Sequence, residues 1–114
     1  MTLLRFTARS QPDGVRLNWT TGAEFNAWGF HLWRTQDSTW GNGVRVTQSV
    51  IPAAGSKGGG AAYSHFDPGG QTDDWYWLQE IESDGTRNLY GPVQVDANTY
   101  GAPMQSLFLP MVGR

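Results

Sequence analysis

Cysteine is absent from the 114 residues, so disulfides, thiolate nucleophiles and sulfur ligands for zinc are all excluded, and cysteine usage does not indicate the redox compartment. Charge of one sign is scarce as well. Eight Lys and Arg against ten Asp and Glu leave a formal charge of -2, which lacks the basic footprint of a nucleic-acid or anionic-membrane binder. His31 and His65 are the only imidazoles, and no short-range His or carboxylate spacing accompanies them, so ordinary cross-strand packing outweighs metal ligation. No serine sits in a nucleophile-elbow motif, and no pair of carboxylates is spaced for acid–base work. A non-enzymatic protein without cofactor or metal is expected. No apolar run approaches the roughly 20 residues that span a bilayer, and the N-terminus enters an alternating pattern without the apolar core of an export signal.

What the chain does have is glycine (15), proline (6) and aromatic residues (13%, with six Trp), the makings of tight turns and a small core filled by large side chains. The length fits one domain able to bury such a core without cross-links. Apolar residues alternate in Leu4, Phe6 and Ala8, then in Val15, Leu17 and Trp19, then in Phe30 and Leu32, a period that predicts half-buried strands. Shorter strand signals follow at 44 to 47, 50 to 52 and 63 to 66, and longer ones at 75 to 82 and 88 to 95. Gln11-Pro12-Asp13-Gly14, Asp67-Pro68-Gly69-Gly70 and Ser83-Asp84-Gly85-Thr86 are the turn signals between them. In 75 to 82, Tyr76 and Leu78 share a face and Ile81 falls on the other, so a bulge near Gln79 or Glu80 is expected to return Ile81 to the core. The pattern predicts an all-β, antiparallel β-sandwich of about seven strands without helix. It spans residues 1–97, followed by a linker at 98–103 and an apolar strand or tail at 104–114.

Three sets of side chains stand out. Glu24 precedes one strand and Arg34 ends it, so the two are expected to pair and fix the loop between the second and third strands, a structural role. If Phe30, Leu32, Tyr76 and Leu78 point inward, strand alternation puts Trp33, Trp75 and Trp77 on outer faces, as a partner-binding or glycan-stacking surface. Leu107, Phe108, Leu109, Met111 and Val112 form an apolar strand beyond the linker that needs a surface to cover it; Pro110 suits it to a sheet edge. Asp67, Asp73 and Asp74 read as a solvated turn, their spacing fitting no calcium loop.

The order Leu4-x-Phe6-Thr7-Ala8, Val15-x-Leu17-x-Trp19, Glu24-x-Asn26-x-x-Gly29-Phe30-x-Leu32-x-Arg34 resembles the fibronectin type III-like modules of secreted bacterial proteins. The likeness continues through Ile51-Pro52-Ala53-x-Gly55-Ser56, Tyr63-x-x-x-Asp67, Trp75-Tyr76-Trp77-Leu78-x-Glu80 and Gly91-Pro92-Val93, covering about residues 3 to 96. The closing Leu107-Phe108-Leu109-Pro110-Met111-Val112-x-Arg114 is similar to the short aliphatic Leu-Pro tails that end many such exported proteins. This resemblance implies an immunoglobulin-like, fibronectin type III-like sandwich with an appended C-terminal strand, serving as an extracellular or cell-surface accessory module with no catalytic residues to carry over, its export signal lying outside the chain.

Two functions are therefore expected as alternatives. One is a structural module for protein–protein contacts, including self-assembly into a fibre, surface layer or adhesive filament by addition of the C-terminal strand to a sheet edge. The other is a carbohydrate-binding accessory module of a secreted enzyme, holding polysaccharide on its outer tryptophans. Neither involves nucleic acid or a membrane span.

Overall fold

In the computed structural model, residues 1–56 and 58–97 are described. They form eight strands: β1 (Thr2–Gln11), β2 (Gly14–Ala23), β3 (Ala27–Thr35), β4 (Val44–Arg45), β5 (Ile51–Pro52), β6 (Ala62–Asp67), β7 (Trp75–Glu82) and β8 (Arg87–Gln94). β1, β2 and β6 make one antiparallel sheet in that order. β4, β3, β7 and β8 make the other, with β5 also paired to β3. The two sheets pack face to face as a β-sandwich, and no helix occurs among the described residues. The linker at 98–103 and the apolar segment carrying Leu107, Phe108, Leu109, Met111 and Val112 lie outside the described residues.

Period-two patterning builds the core. Val15, Leu17 and Trp19 of β2 are buried, as are Phe30 and Leu32 of β3, Tyr76 and Leu78 of β7, and Val93 of β8. Trp19 stacks on Tyr63 at 5.1 Å between centroids and 10° between planes, and Phe30 meets both rings edge-on. Such pairs add about 0.5–1.5 kcal/mol beyond the area they bury, so this cluster ties β2, β3 and β6 across the sandwich.

Alternation fails in β1. Leu3 and Phe6 are both fully buried although three positions apart, while Leu4, expected inside with Phe6 and Ala8, is 49% exposed. A bulge is the cause: Leu3 pairs with Thr21 and Arg5 with Thr20, so two steps on β1 match one on β2.

The opposite correction applies to β7. Its pairing with β3 runs unbroken from Gly29↔Ile81 to Thr35↔Trp75, so no bulge interrupts it at Gln79 or Glu80. Glu80, not Ile81, occupies the inward position after Tyr76 and Leu78. The charge is accommodated by Asn88 Nδ2, which donates to Oε1 at 3.0 Å, by the Tyr90 hydroxyl at 3.4 Å and by the Met1 amino group 3.7 Å from Oε2. Ile81 is nonetheless buried, on the other face, together with Trp77.

Candidate functional site

Glu24 and Arg34 do not meet. They flank a strand: Glu24 lies in the connection before β3 and Arg34 near its far end, with roughly 23 Å of strand between Ala27 and Arg34, so each organises its own end of β3.

At the first end, Glu24 is buried with no cation beside it among the described residues. Its Oε2 accepts from the Thr21 hydroxyl at 2.5 Å and the Tyr63 hydroxyl at 2.6 Å, and its Oε1 from the Gly55 amide at 2.9 Å. Gly55 is required by this approach, since a Cβ there would lie 2.7 Å from the Glu24 carboxyl carbon. Burial, and secondarily the hydrogen bond to Glu24, pushes the Tyr63 phenol up to about 12. The knot pins the β2–β3 connection to the segment before β6.

At the second end the charge is paired. Arg34 Nη1 donates to Asp67 Oδ2 at 2.5 Å, and its Nε lies 3.6 Å from Asp74 Oδ2. The Tyr76 hydroxyl donates to the same Asp67 oxygen at 2.7 Å, and the Gly69 amide to Oδ1 at 3.0 Å. Burial, then the hydrogen bond to Asp67, raises the Tyr76 pKa well above its ordinary value. Asp67 and Asp74 are thus buried partners of one guanidinium, where the sequence predicts a solvated turn; Asp73 alone of the three is exposed.

The outer face of the β3–β7–β8 sheet carries the tryptophans. By register, Trp33 lies opposite Trp77 and Thr35 opposite Trp75. Trp77 is not an open platform: it is 5% exposed, its indole N–H donates to Thr35 Oγ1 at 2.9 Å, and Trp40 lies over it. Trp33 is half-buried, its N–H on Gln79 Oε1 at 3.1 Å, and it too meets Trp40 edge-on; Trp75 is half-buried. Trp40, stranded in a polar stretch of sequence, is thus the ring that folds back on the sheet, and it remains 43% exposed. Leu4, Phe25, Trp28 and Val44 are the more open apolar side chains, at 49%, 60%, 58% and 53%.

His31 is buried on this same outer face. Thr47 Oγ1 accepts from the Leu32 amide at 3.3 Å and lies 2.6 Å from His31 Nδ1, a hydrogen bond whose direction is set by the ring tautomer. Burial, with Arg45 and Arg87 nearby, lowers its pKa. His65 is lowered too, by burial first, with Asp67 opposing and Arg16 assisting.

Between the loop after β3 and the turn after β6 opens a cleft of about 570 Å³. Arg34, Asp37, Thr39, Trp40, Asn42 and Gln71 supply most of its chemistry. No group of three or more metal-ligating side chains is gathered among the described residues, and no helix there is long and apolar enough to cross a membrane. No protein family, characterised protein or solved structure matches this chain.

Proposed function

We propose that this chain is a fibronectin type III-like, non-enzymatic, extracellular structural module that contacts protein partners, above all a second copy, by adding its C-terminal segment to a sheet edge. The observation that supports this reading is how the described chain leaves the fold. Asp96 N donates to Ala8 O at 2.7 Å, Ser10 N and Oγ donate to the Asp96 carboxylate at 2.9 and 2.6 Å, and Arg9 Nη1 donates to Ala97 O at 2.7 Å. Ala97 therefore departs beside the far end of β1, which is an edge strand of its sheet among the described residues.

A six-residue linker containing Gly101 and Pro103 suffices to turn the chain back. The nine residues 104–112, extended, reach about 30 Å, close to the length of the ten-residue β1. Main-chain bonds to β1 would supply affinity, and the alternating Leu107, Leu109 and Met111 the side-chain contacts. Where the segment adds to a neighbour and not to its own domain, donor and acceptor surfaces differ, and repetition builds an open fibre. The buried ionisable groups fit a structural role, each being engaged in holding loops or strand ends.

The test compares the intact chain with one truncated after Tyr100, by light scattering and negative-stain microscopy over a concentration range. Concentration-dependent assembly of the intact chain alone is expected. Equal stability and equal monomer content in both would defeat the reading.

A further inference from the structure

We infer that the cleft beside Trp40 is a binding site for a neutral sugar ring, separate from any strand-addition surface. Trp40 is the starting point. Its indole is 43% exposed, yet it is braced by edge-to-face packing with Trp33 (centroids 5.5 Å apart, planes at 77°) and with Trp77 (5.3 Å, 67°). An aromatic face fixed in this way offers the C–H face of a pyranose a flat, apolar surface without the ordering cost of a mobile side chain.

The groups around that ring match hydroxyls. Asp37 is positioned by the Thr35 hydroxyl, which donates to its carbonyl at 2.7 Å, and its Oδ1 accepts the Thr39 amide at 2.9 Å. Arg34 lines the same cleft with a guanidinium already oriented by Asp67 and Asp74. Asn42 and Gln71 each bring an amide, with two donors and an acceptor, and Thr39 a hydroxyl. Acceptors and donors are both plentiful, as a polyol needs, and few apolar side chains besides Trp40 and Val44 line the space.

Charge narrows the ligand further. One Arg34 faces two carboxylates, Asp67 and Asp74, and Asp37 adds a third, so the local balance is negative and a phosphate or carboxylate ligand would meet repulsion. That argues against nucleotides and acidic glycans, although a base could also stack on tryptophan. The volume of about 570 Å³ lies within the roughly 300–1,000 Å³ of small-molecule sites.

Native gels cast with hydroxyethyl cellulose, xylan, galactomannan or glycol chitin test this, with polygalacturonate as the anionic counterpart. The full chain is expected to be retarded by at least one neutral polymer and not by polygalacturonate. Trp40→Ala should weaken that retardation at least about tenfold, the equivalent of one lost ring contact. Asp37→Asn should weaken it several-fold, and Trp28→Ala, which removes an exposed indole elsewhere, should leave it unchanged. Should Trp40→Ala fail to fold, Trp40→Phe, expected to bind more weakly than the parent, and Asp37→Asn carry the test by themselves. The inference is overturned if no neutral polymer retards the chain or if polygalacturonate retards it equally. Undiminished retardation of a folded Trp40→Ala variant, or of both Trp40→Phe and Asp37→Asn, overturns it too.

Discussion

The two ends of β3 hold loops in place by different chemistry. Glu24 sits buried among neutral donors, two hydroxyls and an amide, whereas Asp67 and Asp74 share the guanidinium of Arg34. The neutral knot is closed around its carboxylate. The charged one borders an open cleft, and its arginine is 22% exposed. One end is thus built only to fasten, while the other fastens and still presents polar groups to solvent.

The largest effect should come from Arg34→Met, which strips two buried carboxylates of their cation at a cost of about 3 kcal/mol, read by urea unfolding at constant m-value. Glu24→Gln should cost less, about 1–2 kcal/mol, because it keeps the shape and leaves one donor facing an amide N–H. If the two variants are equally destabilised, the contrast between the ends is false.

Alkaline titration sharpens the same comparison. Tyr63 at the neutral end is pushed up to about 12, and Tyr76 at the charged end is raised beyond its ordinary value, both chiefly by burial. A phenol whose folded pKa is raised lends stability below its ordinary value near 10, and that stability is lost as pH climbs through the folded value. Phenolate absorbance should therefore show Tyr63 delayed to about 12 and Tyr76 ionising only with unfolding, each signal removed by its own Phe variant.

The smallest effect belongs to His31, midway along β3 between the two knots. Its folded pKa lies below the ordinary 6.5, so protonation favours the unfolded chain and stability declines as pH falls from 6.5 toward the folded value. Unfolding midpoints at pH 7 and pH 5 should differ for the parent, and less so for His31→Gln, whose amide keeps a hydrogen-bonding group for Thr47 without titrating.

The succession of strands along the chain and the inward residues of β2 and β3 are legible in the sequence because alternation is a local property. The bulge in β1 is not, since Leu3 and Leu4 are equally apolar and only pairing with Thr20 and Thr21 decides which enters the core. Glu24 and Arg34 are each recognisable as loop anchors, but spacing along a strand is not proximity through space, and the expected pair does not form. Asp67 reads as a turn residue; its union with Tyr76 and Arg34 depends on β6 and β7 lying in different sheets, which no local pattern records. Trp40 is conspicuous as a lone ring in a polar loop, and that is the one signal available for the cleft. Strand alternation picks out Trp33, Trp75 and Trp77 for the outer face and passes over Trp40, because loops are not periodic.

The stitching of Asp96 and Ala97 to Ala8, Arg9 and Ser10 also determines how the sandwich bears tension. A pull between Thr2 and Ala97 runs along the axis of β1, across bonds that lie perpendicular to it, so they are sheared together and cannot be unzipped singly. Stretching single molecules between those points should give one high-force step that Asp96→Ala lowers.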